Sequence, residues 1–223
     1  MKKTVFVFFL MLVTLSVFAQ NGVIRQLSGT VELKAPGASS YVPAKAGDEL
    51  SQDTVISTGF KSTALVEVGS AVITVRPLTR LSLTEIRATA GSETLNVNLQ
   101  AGRVRVDVNP PAGTKAAMSV TSPIATASVR GTSFDFDTRN LHVNHGTVSF
   151  GGKGLPMLVK GGANSMIKDD GKAEDPIAAR NRRLRPQLPP GAETSGGVTG
   201  GTAAYSKGVF SIQLNYFPPK MNG

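Results

Sequence analysis

The chain of 223 residues contains no cysteine and no tryptophan, and only two histidines and three tyrosines. Without cysteine there is no disulfide framework, no thiol chemistry, no cysteine-ligated zinc site and no lipid attached through an N-terminal thioether. Burial alone must hold the fold together. The shortage of aromatics, with no basic helix to set beside it, argues against nucleic acid as a ligand, because single-strand binders rely on aromatic stacking platforms. It also weakens a sugar-binding reading, since glycan sites lean on exposed rings. A second long apolar run is missing as well, so the chain after its first segment offers no helix able to cross a membrane.

That first segment is informative. Met1-Lys2-Lys3 precedes an apolar run from Val5 to Phe18, shorter than the ~20 residues that span a bilayer, and Ser16-Val17-Phe18-Ala19 offers small or branched residues where signal peptidases read. Residues 1–19 are expected to be a secretory signal cleaved after Ala19, leaving a mature chain in the periplasm or outside the cell. The net charge of +9 then falls to +7 with the loss of Lys2 and Lys3, a mild bias spread over a mixed surface.

From Val23 to about Lys168 the pattern has period two, which puts alternate side chains on opposite faces of a strand. Ala64–Val68, Ala71–Val75, Leu95–Leu99 and Val104–Val108 show it most clearly. Turn residues separate them, among them Pro36-Gly37, Gly47-Asp48, Gly69-Ser70, Gly91-Ser92 and Asn109–Gly113. The expectation is an all-β domain over residues 20–172, a two-sheet β-sandwich or jelly-roll-like fold with a flexible C-terminal tail. A glycine followed by an alternating strand recurs at Gly29-Thr30-Val31, Gly102-Arg103-Val104 and Gly146-Thr147-Val148. The unequal spacing excludes a solenoid repeat, so this reads as the grammar of strand openings. Residues 173–205 read as a basic and Pro/Gly-rich linker, and residues 206–223 as a C-terminal strand centred on Phe210–Tyr216 that must add to a sheet edge.

The segment Ser119–Phe136 is the most unusual. Ala125, Ala127 and Val129 share one phase and Phe134 and Phe136 the other, with Gly131 at the change, which reads as a β-bulge or sharp bend. Arg130 opposes Val129 and has donors enough to cap loop carbonyls or to bridge Asp135 or Asp137. Pro123, Ala125, Ala127, Val129, Arg130-Gly131-Thr132 and Phe134 resemble the hallmark of the FecR family. Gly47–Leu50, Asp53–Gly59, Ser62–Ala64 and Leu99–Val104 resemble its other positions, over residues 22–172 in all. The resemblance implies a β-rich domain that makes protein contacts at the cell envelope, with Arg130, Gly131, Thr132 and Phe134 as its binding segment. The family's better-known members are inner-membrane signal transducers with a cytoplasmic part that controls a sigma factor. No such part stands ahead of the apolar segment in this sequence, so the expectation is that the envelope role carries over, with a possible part in signalling, and that direct sigma-factor control is doubtful.

The remaining chemistry is sparse. His142 and His145, three apart in a strand, fall on opposite faces and suit no shared metal. Asp135 and Asp137 share a face and imitate a paired-carboxylate site, but an exposed polar face with an ion pair to Arg139 or Arg130 is the simpler account. Ser165-Met166-Ile167-Lys168 matches a Ser-x-x-Lys pattern without its companion elements. Gly151-Gly152-Lys153-Gly154 lacks phosphate-loop spacing and reads as a turn. Arg180, Arg182, Arg183 and Arg185 form a basic cluster that either tethers the chain to anionic headgroups or acidic cell-wall polymer, or is a solvated linker. The expected function is non-enzymatic recognition of another envelope protein, without metal or cofactor; a cell-wall or carbohydrate-binding module is the alternative.

Overall fold

A strand that alternates apolar and polar side chains has one face that must be buried against a second layer. The computed structural model describes residues 21–89 and 91–184, and in it these faces meet between two sheets. Sheet A contains β1 (Gly22–Ser28), β4 (Glu49–Leu50), β6 (Thr63–Val68), β7 (Ala71–Val75), β10 (Arg103–Val108), β13 (Ser133–Asp137), β14 (Asn140–His145) and β17 (Asn164–Met166). Sheet B contains β2 (Val31–Lys34), β3 (Val42–Pro43), β5 (Val55–Thr58), β8 (Arg80–Thr89), β9 (Ser92–Ala101), β11 (Lys115–Thr121), β12 (Thr126–Val129), β15 (Thr147–Gly151) and β16 (Met157–Lys160). The order is β4-β1-β6-β7-β10-β13-β14-β17 in one sheet and β3-β2-β5-β8-β9-β11-β12-β15-β16 in the other, so the chain advances from one end of both sheets to the other. Pairing is antiparallel except between β9 and β11.

This is an open, two-sheet β-sandwich-like domain. Its interior is built from registered rows. Val66, Ile73, Val106, Phe134 and Val143 are cross-strand neighbours on sheet A, and Leu83, Val97, Val120, Ala127 and Phe150 on sheet B; all are buried. The rings of Phe136 on sheet A and Phe150 on sheet B meet edge to face at 6.0 Å. Each fully buried side chain of this size contributes about 1.5–3 kcal/mol of transfer free energy. Ala127 pairs with Phe150, so a small side chain stands beside a large one.

The chain passes repeatedly from one sheet to the other, and each passage must also switch which alternate residues face inward. The crossings at Gly29, Gly102, Gly131 and Gly146 do this with φ between 71° and 90°. Such angles cost an L-residue about 1–2 kcal/mol and glycine almost nothing. The non-glycine residues with positive φ among the described residues, Asp53, Lys61 and Leu78, also lie between strands of different sheets.

One expectation is corrected here. Residues expected to open a basic linker instead form a bridge from Ala173 to Ile167 and then a helix, α1 (Pro176–Leu184). The physical cause is local: Asp175 Oδ1 accepts from the backbone N–H groups of Ile177 at 2.7 Å and Ala178 at 3.3 Å, and Pro176 holds the first helical position, where its missing N–H costs nothing. Ala179 is buried, and the helix packs against β17. The expected signal segment, the rest of the linker and the C-terminal strand lie outside the described residues.

Candidate recognition surface

At the hallmark segment, the phase change at Gly131 is the sharp bend of the two alternatives, and it carries the chain from β12 in sheet B to β13 in sheet A. The crossing sorts the four hallmark residues by accessibility. Phe134 is fully buried, and Thr132 is buried with its Oγ1 donating to the Thr147 carbonyl at 3.3 Å. Arg130 alone of the side chains is exposed. Contrary to expectation it neither caps a carbonyl nor bridges Asp135 or Asp137, and it has no ion pair among the described residues.

Those aspartates are occupied by other arginines. Asp135 faces Arg76 at 3.5 Å and accepts from Asn144 Nδ2 at 3.0 Å, while Asp137 faces Arg103 at 3.7 Å. Arg139, the other expected partner, donates its backbone N–H to Asp137 at 2.9 Å and sends its guanidinium to the Ile167 carbonyl and Asp169. Asp135 and Asp137 thus belong to an ion-pair ladder on the outer face of sheet A, continued by Arg105 and Asp107 at 3.2 Å and by Arg25 and Glu67 at 2.8 Å. Hydrogen bonds from Arg25 hold the Glu67 carboxyl below its ordinary range. The outer face of sheet B carries an ion pair, Arg87 with Glu85 at 3.0 Å, and a cross-strand row of Asn96, Ser119, Ser128 and Ser149, in which Asn96 Nδ2 donates to Glu85 and the Ser119 and Ser128 hydroxyls are 3.2 Å apart.

His142 is half-buried with Nδ1 2.8 Å from Asn164 Oδ1, and His145 is exposed at the strand end. Ser165 is buried and donates to the Glu174 carbonyl at 2.6 Å, a structural bond. Gly152 lies in a bend, packed against the Gly171 and Ile124 carbonyls. Of the basic cluster, Arg180 is exposed on α1; the side chains of Arg182, Arg183 and Arg185 lie outside the description.

The sequence reading missed the contrast between sheet edges. β3 and β4 are two residues each and are tied to their neighbours through Ala44, Gly47 and Asp48, which bond Val31 and Ile24. The outer side of β17 is taken by the returning chain, with Glu174 N–H on the Met166 carbonyl and Lys168 N–H on the Lys172 carbonyl. β16 ends sheet B with no strand beyond it among the described residues, and Leu155 and Leu158 stand 93% and 67% exposed beside it. An open edge next to exposed apolar side chains is a template for another strand. Crowding at Gly146, whose Cβ position lies 3.2 Å from the Gly131 carbonyl, and at Gly161, 3.4 Å from His145 Cα, puts the Arg130 corner and the end of β16 at the same end of the sandwich. The signal available was Leu155-Pro156-Met157-Leu158, an apolar stretch directly after a glycine turn.

The described residues form an open β-sandwich-like domain with ion pairs along the outer face of sheet A, a β16 edge with no strand beyond it, and no group of three or more side chains able to hold a metal ion. Residues 54–149, the centre of the sandwich from β5 into β15, match the model of the FecR protein family. The match is narrower than the expected 22–172; β1–β4 and β16–β17 continue the same two sheets on either side of it. Two crystal structures of a candidate anti-sigma factor from Parabacteroides distasonis are similar at 16% identity and a TM-score of 0.44, covering 58% and 56% of this chain and 64% and 62% of theirs. The chain thus spans less than two thirds of their length. Among curated proteins none matches.

Proposed function

We propose that this domain recognises another envelope protein by accepting an extended segment of it along the free edge of β16, with Arg130 as a second contact. The observation that carries the reading is the four-residue β16 edge flanked by the exposed Leu155 and Leu158, whereas the edge strands β3 and β4 are two residues each and the outer side of β17 is taken by the returning chain. Main-chain pairing supplies affinity in such a contact, and side-chain pockets supply selectivity. Arg130 stands on β12, two strand spacings or about 10 Å from β16, within reach of a carboxylate on the same partner. The domain would therefore act as a scaffold or signalling contact rather than as a catalyst.

The test is position-specific photo-crosslinking in intact cells from positions 158 and 130, with position 119 in the middle of the sheet B face as control. The expected result is one shared protein adduct from 158 and 130 and none from 119. Equal adducts from all three positions, or none from 158, would reject the edge. Retention of the folded chain on purified peptidoglycan with no protein adduct would favour the cell-wall alternative instead.

A further inference from the structure

The outer face of sheet A carries an open groove of about 1010 Å³ that the edge-pairing reading does not use. Its floor is the outward side chains of β10, β13, β14 and β17, one wall is the Arg76–Leu78 crossing, and the other holds Glu174 and Ala179 of the α1 region. We infer that this groove binds a short peptide segment carrying both a carboxylate and an amine, set by the Arg76/Arg103 and Asp135/His142 pairs across its floor.

The argument begins with how the charges are layered. Arg76 and Arg103 are 44% and 62% exposed, whereas their partners Asp135 and Asp137 are 23% and 24% exposed. The guanidinium groups form the rim and the carboxylates lie deeper. Both ion pairs, at 3.5 and 3.7 Å, are longer than the roughly 2.7–2.9 Å of a strong charge-assisted bond. Each guanidinium has five donors and spends little of that capacity on its aspartate, which leaves N–H groups to meet a carboxylate entering from solvent.

The acceptors stand on the other side. Asp137 is consumed by the backbone N–H groups of Arg139 and Asn140 and by Asn140 Nδ2. Among the described residues Asp135 receives only Asn144 and the long contact to Arg76, so part of its lone-pair capacity remains. Its cross-strand neighbour is His142. Because His142 Nδ1 meets an amide oxygen, which only accepts, that nitrogen carries the proton in the neutral ring and Nε2 is left as an acceptor. Asp135 and His142 Nε2 together present acceptors to an amine or peptide N–H. Leu78, 61% exposed on the wall, adds an apolar contact. A ligand of one sign would meet repulsion from half of this arrangement.

The two histidines make the test direct, since one faces the groove and the other is at the exposed end of the same strand. Imidazole proton resonances of the mature chain are followed by NMR while capped tetrapeptides are added: alternating Glu-Lys, all-Glu and all-Lys, with His142→Gln used to assign the signals. The expected result is a saturable shift of His142 by the alternating peptide, no shift of His145, and affinity at least tenfold weaker for either single-charge peptide. Arg103→Gln and Asp135→Asn should each weaken binding severalfold while the dispersed spectrum of the folded chain persists. An unmoved His142 at saturating peptide, equal response to a single-charge peptide, or parallel movement of His145 would overturn the inference. Variants at Leu158 and Arg130 should leave this binding unchanged, which separates it from the edge-pairing proposal.

Discussion

The chain leaves sheet B for sheet A at both Gly102 and Gly131, with φ of 90° and 71°, yet the two corners are packed differently. A Cβ at Gly102 would lie 2.5 Å from Thr79 Cα and 2.6 Å from the Leu78 carbonyl, both backbone atoms of the adjacent crossing. At Gly131 the nearest atom is Pro110 Cδ at 3.6 Å, an ordinary contact. Thr79 also stitches the Gly102 corner shut: its Oγ1 accepts from Arg103 N–H at 2.9 Å and donates to the Arg103 carbonyl at 3.0 Å. Thr132 makes one longer bond at 3.3 Å at the other corner. The same backbone device therefore serves two ends: at Gly102 it closes the fold, and at Gly131 it turns an arginine out to solvent.

Breaking the closed corner should have the largest effect. Gly102→Ala combines positive-φ strain with a backbone collision that no rotamer relieves, so a loss of about 4 kcal/mol or more is expected, read as a lower urea midpoint. A loss no greater than that of Gly131→Ala would erase the distinction between the corners. Thr79→Val removes a buried hydroxyl that satisfies two backbone groups and should cost about 1–3 kcal/mol, against about 1 kcal/mol for Thr132→Val. Gly131→Ala should cost only the strain of its φ, about 1–2 kcal/mol, because space for the methyl group already exists.

Much of this organisation was legible in the sequence. Period-two alternation identified β6, β7, β9 and β10 and both inner faces, because side chains on a strand alternate whatever the partner. The recurring Gly-x-Val openings marked three crossings, but the sequence does not say that a phase change means a change of sheet. That follows only from which strands pair, a matter of contacts distant along the chain. The helix was missed for another reason: Asp175-Pro176 is a start signal, and arginine-rich composition hid it. The ion-pair partners of Asp135 and Asp137 were unreadable because Arg76 and Arg103 are brought beside them by sheet order, whereas the sequence offered only the nearby Arg130 and Arg139.

The smallest effect is expected at Arg130 itself. Its side chain is exposed and has no ion pair among the described residues, so Arg130→Ala removes no native contact and should change stability by less than about 0.5 kcal/mol. The neighbouring Gly131 and Thr132 variants cost more, although all three belong to one hallmark segment. A recognition role requires this separation: the urea midpoint of Arg130→Ala stays with the parent while crosslinking from position 158 to the envelope partner weakens, and added salt weakens the parent's contact in the same direction because an exposed ion pair is screened. If Arg130→Ala instead unfolds the domain as Gly102→Ala does, the corner is structural and the arginine is part of what holds the two sheets in place.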